Sequence, residues 1–282
     1  MAQLIFPYFC AAVFGLIFGS FLNVCISRLP QHESIVTPRS HCPRCNKPIQ
    51  WYDNFPVLSY LLLRGRCRHC HEKISIIYPL VELLTSALWV AVLAEYELSP
   101  EFIKYTLLGM LLIVLIFTDL RTRLIPHSVT IFGIGAGILL SFLVPVDNRP
   151  LDWALGFLGV YPSGIGDSLL GAIAGALAGG GLFYAVGEGF YYASGRTKEY
   201  LGFGDVMLMF MAGTFLGAPL TLMTILLGSL GGTLVAVPAT LLAPRLRNYE
   251  WPYGTFLGIG ALFSVLGGPA LLDWYLRFSG IA

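Results

Sequence analysis

Apolar and polar positions along this chain come in blocks rather than in alternation. Eight apolar stretches, at about 4–27, 79–95, 102–118, 128–146, 166–189, 205–219, 221–242 and 253–272, are separated by short polar connections and by one long one, about 30–78. A helix of about 20 apolar residues is long enough to cross the hydrocarbon core of a bilayer. The pattern therefore predicts an all-α polytopic membrane protein with about eight transmembrane helices. Its expected divisions are a first helix (1–29), a loop between helices 1 and 2 (30–78) and a transmembrane core (79–282). Small residues such as Gly171, Gly175, Gly179, Gly180 and Gly181 crowd the later spans, where they let helices approach closely in lipid.

Composition narrows the class. Hydrophobic residues make up 56% of the 282 positions and charged ones 12%, with a mean hydropathy of +0.74. Soluble domains carry about 25% charged residues, so disorder, a secreted disulfide scaffold and a soluble α/β enzyme are all excluded. The net charge of +1 says little; its distribution says more. Fourteen Lys and Arg residues fall in one set of loops, and only Lys104, Arg149 and Arg277 in the other. Cytoplasmic loops are enriched in basic residues, so the first set is expected to face the cytoplasm, with both termini outward. No basic region precedes the first apolar stretch, which reads as an uncleaved helix rather than a signal peptide.

The long loop carries Cys42-Pro-Arg-Cys45 and Cys67-Arg-His-Cys70, a C-x2-C-x21-C-x2-C pattern. Two such pairs supply four thiolates with the bite of a tetrahedral Zn²⁺ site, and a reducing cytoplasm disfavours disulfides. A structural zinc is expected there, with His41, His69 and His71 as neighbours rather than ligands. From Arg28 to Lys73 the loop holds eight basic residues against Glu33, Asp53 and Glu72. Between the pairs lies the aromatic run Trp51–Tyr60, suited to a headgroup boundary. Together they point to a lid against anionic membrane lipid. Nucleic-acid binding, the other reading of a basic zinc module, is set aside because membrane helices tether the loop at both ends. Cys10 and Cys25 read as small packing residues.

Ionisable residues at membrane depth are costly and mark function. Asp119 closes the third apolar stretch, and Asp205 opens the sixth in Gly202-Phe-Gly204-Asp205. The charge-derived topology places both at the cytoplasmic ends of their helices. Two carboxylates brought together share a proton, as in aspartic proteases, and Gly202 and Gly204 permit a tight turn and close backbone approach. The alternative for Asp119 is an ion pair or interfacial cap beside Arg121 and Arg123; for Asp205 it is a helix N-cap. Asp147, Asp152 and Asp167 fall on the outer side and Glu188 near the interface, while Glu82 lies one turn into the second span.

The chain resembles the bacterial type IV prepilin peptidases. The resemblance runs in order through Gly19-Ser-Phe-Leu-Asn23-Val-Cys-Ile-Ser-Arg28-Leu-Pro30, the paired cysteines and Tyr78-Pro79-Leu-Val-Glu82-Leu-Leu-Thr85. It continues through Asp119 with Ile125-Pro126 and Gly202-Phe-Gly-Asp205. It implies cleavage of the basic leader of prepilins and pseudopilins after a glycine, at the cytoplasmic face of the bacterial inner membrane with both termini periplasmic. Methylation of the new N-terminal residue from S-adenosylmethionine then follows. Asp119 and Asp205 map onto the family's catalytic aspartates. Family members commonly have Lys two residues after the second Asp; here Met207 stands there, with Lys198 the nearest substitute. No Rossmann-type glycine fingerprint is present, so the cofactor candidates are Glu82, Asn23, Arg28 and the basic loop, with pairing to a loop Arg as the alternative for Glu82. Two rival functions remain. A cation transporter or channel needs acids through the bilayer depth, which the spans lack; a non-enzymatic pilus or secretion assembly scaffold needs no acid pair.

Overall fold

The computed structural model describes residues 2–146, 164–195, 201–246 and 249–279. The Asp147, Arg149, Asp152 and Lys198 positions discussed above lie outside them, as do Arg196 and Arg247 among the fourteen basic loop residues. Among the described residues there are helices and two isolated bridges but no strand. Contacts divide the chain into two compact units, Met1–Phe102 and Ile103–Ala282.

The first unit holds α1 (Ala2–Arg28), the five-residue α2 (Leu58–Leu62) and α3 (Ile77–Tyr96). α1 and α3 pack antiparallel. A Cβ on Gly15 would lie 2.5 Å from the Ser86 Cα, one on Gly19 would lie 2.6 Å from the Glu82 Cα, and Asn23 Nδ2 donates to the Tyr78 carbonyl at 3.0 Å. Two glycines four positions apart thus form the groove into which α3 settles, the small-residue contact that association in lipid requires. Above it the Phe18 ring stacks on Trp89 at 5.2 Å.

The second unit contains α4 (Pro100–Thr122), whose residues 112–119 are all buried. Since lipid is as apolar as these side chains, close packing rather than exclusion of water holds such a helix in place. With it the unit holds α5 (His127–Ser141), α6 (Ile165–Ala193, with a π turn over Leu177–Gly181), α7 (Phe203–Leu242), α8 (Tyr253–Leu266) and α9 (Gly268–Phe278), and α5, α6 and α8 all pack against α7. α7 is two arms. At Gly217 the backbone adopts φ 72°, ψ 173°, which glycine reaches at no steric cost, and Pro219 fits the first turn of the helix that resumes. Gly175 of α6 lies against both Gly213 and Gly217, and Gly179 against both Met209 and Thr221. Gly179 thus touches the first arm at Met209 and the second at Thr221, so the arms double back on one another. Along the second arm Leu226, Leu230 and Leu234 are exposed, the lipid-facing stripe of a helix with four-residue spacing.

Among the described residues five helices are by themselves long and apolar enough to cross a membrane, and the α8–α9 pair, bent by 78°, makes a sixth if taken as one span. The short α5 and the division of α7 account for the rest of the eight expected stretches. Three of these stretches differ in detail. The sixth and seventh part at Gly217 rather than after residue 219, and the eighth bends at Gly267, ahead of Pro269, instead of running straight to 272.

Candidate active site and metal centre

Asp119 lies in the last turn of α4 and is buried. Its Oδ2 accepts the Thr255 backbone N–H at 2.7 Å and the Thr255 hydroxyl at 2.8 Å. Thr255 is the third residue of α8, whose first amides lack helical acceptors. The residue before the helix is Pro252, with no side-chain cap, so Asp119 supplies the capping oxygen from another helix. Asp205 is the third residue of α7, so both carboxylates sit at the positive ends of helices.

Gly254 brings the pair together. A Cβ there would lie 2.9 Å from Asp205 Oδ1, 3.2 Å from Asp119 Oδ2 and 2.7 Å from Ile125 Cδ1. Both oxygens therefore lie within little more than 3 Å of one point, and no farther from each other than about twice that. Arg123 does not pair with Asp119; it reaches Glu250 at 3.5 Å and lies 4.5 Å from the Tyr249 ring centre. Asp205 is inside the first turn of its helix rather than at the cap, which is Gly202. Gly204 faces Ile125, where a Cβ would come within 2.9 Å of the isoleucine Cβ, and Gly202 lies beside Asp205 Oδ2. Tyr253 stacks 6.1 Å from Phe183 and shares a 2.8 Å hydrogen bond with Ser229.

Gly254 and Thr255 escaped the sequence reading because a Gly-Thr pair opening an apolar stretch looks like packing. The available signal was Pro252-Tyr253-Gly254-Thr255, a helix start with no capping side chain at its cap position.

In the first unit, the sulfurs of Cys42, Cys45, Cys67 and Cys70 all lie within 4.8 Å of one another, with Cys42 and Cys70 3.8 Å apart. Zn–S bonds of about 2.3 Å in a tetrahedron put sulfurs about 3.8 Å apart, so the cluster can hold a metal ion. The two halves repeat one design. Cys42 N–H donates to Lys47 O and Asn46 N–H returns to Cys42 O; Cys67 N–H donates to Glu72 O and His71 N–H returns to Cys67 O. Asn46 and His71 both take positive φ, 55° and 57°. The amides of Cys70 and His69 pull the Cys67 thiol down to about 7, the direction a thiolate ligand needs.

Asn23, Arg28 and Glu82 are buried. Arg28 donates to the carbonyls of Ser34 and Pro38, both at 2.8 Å, and Glu82 Oε2 accepts the Val57 N–H at 2.7 Å. With Asn23 on Tyr78, all three grip backbone of the loop or of its junction with α3, and Glu82 is held by an amide rather than by a loop arginine.

The fold and these sites define a multi-pass helical membrane protein with two carboxylates meeting at helix ends and a four-cysteine centre in a loop. Comparison makes the class specific: the Bacterial Peptidase A24 N-terminal domain matches residues 13–96, and the Type IV leader peptidase family matches residues 106–237. Similar proteins include prepilin leader peptidase/N-methyltransferases of Myxococcus xanthus (39% identical, covering 86% of this chain and 68% of the relative), Aeromonas hydrophila (35%, 94% and 92%) and Bacillus subtilis (28%, 95% and 97%). No solved structure matches. The chain belongs to the type IV leader peptidase family.

Proposed function

We propose that this protein is a membrane-embedded aspartyl endopeptidase that removes the leader of prepilins and pseudopilins after a glycine, on the cytoplasmic side, and then methylates the new N-terminal residue from S-adenosylmethionine. The observation that carries the peptidase reading is the convergence of Asp119 and Asp205 on Gly254. Like charges so close cannot both ionise easily, so the pair holds one proton between them. Water attacks the peptide carbon and gives a proton to the ionised carboxylate, while the protonated one gives its proton to the carbonyl oxygen. Collapse of the resulting diol breaks the C–N bond as one diol hydroxyl gives its proton to the ionised carboxylate and the protonated carboxyl gives its proton to the leaving amine, which restores the singly protonated pair. Thr255 fixes the plane of Asp119 through two donors on one oxygen. Gly202, where an added Cβ would meet only Asp205 Oδ2, leaves bare backbone beside that carboxylate, where an extended substrate can lie.

The basic-loop count supports a cytoplasmic face for the cysteine loop and an outward face for both termini, in the bacterial inner membrane. Zn²⁺ is the ion the donor set suits best; it would join the two knuckles and stiffen the loop. Methyl transfer rests on the names of the relatives. Asn23, Arg28 and Glu82 are engaged with backbone in and beside the loop, and no step of that reaction runs through them here. Incubating the protein in reconstituted membranes with a prepilin and the methyl donor tests both activities. Loss of the leader followed by one added methyl on the product is expected. An uncleaved substrate would refute the peptidase reading, and a cleaved but unmethylated one the transferase reading.

A further inference from the structure

α2 is short, yet its position is well defined. Its leading residue Val57 takes φ 59°, an uncommon conformation for a β-branched side chain, and its N–H is held by Glu82. Ser59 ties the turn from the other side, accepting the Phe55 N–H and donating to the Tyr52 carbonyl. Glu82 is not at the end of α3. The 20 residues of α3 extend about 30 Å, the thickness of the hydrocarbon core, and Glu82 lies about 8 Å along it from Ile77. The start of α2 is therefore pinned to the flank of a membrane span, inside its end.

What α2 presents from there is apolar. Leu58, Leu61 and Leu62 are 53%, 64% and 74% exposed, and Trp51 and Phe55 just before them 74% and 51%. Basic residues follow at once: Leu62, Leu63, Arg64 and Arg66 line one open cleft. Arg68 is already committed, with bonds of 2.8 and 2.6 Å to Asp53.

We propose that α2 is a membrane-inserted anchor, its leucines at the boundary between headgroups and acyl chains and Arg64 and Arg66 on the phosphates of anionic phospholipid. A surface of exposed leucines bordered by two guanidinium groups matches that boundary in both polarity and charge. The anchor is independent of the peptidase chemistry. It would seat the cysteine module on the leaflet that α1 and α3 cross, and make its stability depend on lipid composition.

The test places a photoreactive benzophenone amino acid at position 61 or 62 of the full chain. The protein is reconstituted in vesicles of phosphatidylcholine alone or mixed with phosphatidylglycerol. Lipid adducts are expected at both positions, with a preference for the anionic lipid that falls roughly fivefold for each guanidinium lost in Arg64→Gln and Arg66→Gln. Glu82→Ala should lower the adduct yield at 62, whereas Glu82→Gln, which keeps an acceptor for Val57, should retain it. Bound metal measured on the same samples confirms that the loop remains folded. Adducts to protein instead of lipid overturn the anchor, as does an absence of lipid adducts in metal-loaded protein. An unchanged lipid preference in the arginine variants overturns the headgroup contact, and an unchanged yield in Glu82→Ala overturns the pin.

Discussion

The cysteine cluster and the aspartate pair are built in opposite ways. Each cysteine pair is shaped by its own few residues: the amide returning to Cys42 or Cys67 comes from four positions on, and the same turn is made twice. The aspartates are 86 positions apart and meet only because α4, α7 and α8 pack with a bare Cα, Gly254, between them. A local site tolerates change elsewhere in the molecule. A site assembled from three helices registers every shift among them, and an error of about 1 Å in such positioning costs roughly a hundredfold in rate.

That contrast can be broken or sharpened by substitution. The largest effect is expected for Asp119→Asn and Asp205→Asn, each lowering leader cleavage by about a thousandfold or more while metal content stays intact; cleavage assays paired with metal analysis read both. Cys42→Ser should do the reverse. Bound metal falls to near zero and the loop unit loses several kcal/mol of stability, seen as protease sensitivity of residues 30–78, while the second unit keeps its melting behaviour. Gly254→Ala, whose new methyl meets both carboxylates and Ile125, should cut turnover about a hundredfold with little change in substrate KM. Thr255→Val keeps the amide donor and loses the hydroxyl, a charge-assisted bond of about 2 kcal/mol, so a roughly tenfold to thirtyfold fall in kcat is expected; Thr255→Ser should restore it.

The smallest effect belongs to Asp53. The hydrogen bonds from Arg68 hold its carboxyl below the ordinary carboxylate value. A lowered folded-state value stabilises fully above about pH 4 and is lost as the pH falls through the folded-state value. Asp53→Asn should therefore lower the loop's thermal stability slightly at neutral pH and leave it unchanged in acid, which flattens the acid limb; the loss is small because the Arg68 side chain is half open to solvent. An acid limb of unchanged slope would show that the pair contributes nothing.

The parts legible in the sequence were those governed by spacing or by runs of one polarity. Cys42 to Cys70 needed only the two local pairs, and the apolar stretches announced their helices. What was hidden depended on tertiary contact. Gly217 is one of 32 glycines and marks a reversal only because its φ is positive. Thr255 became a partner of Asp119 through the packing of α8 on α4. Glu82, a cofactor candidate with pairing to a loop arginine as the alternative, accepts the Val57 amide, a partner 25 positions away that no spacing rule predicts.

The arm of α7 that carries Asp205 ends at Gly217 and is only about 21 Å long, and α5 beside it only about 22 Å, against a hydrocarbon thickness of about 30 Å. Crossing the hydrocarbon core on these two helices would require the leaflet to thin or admit water beside them, at an elastic cost of a fraction of a kcal/mol per ångström. The acidic pair would then lie at the floor of a dimple in the leaflet instead of beneath its full depth. A bond just outside a membrane-spanning helix can be cut there while the helix itself stays wound and in place.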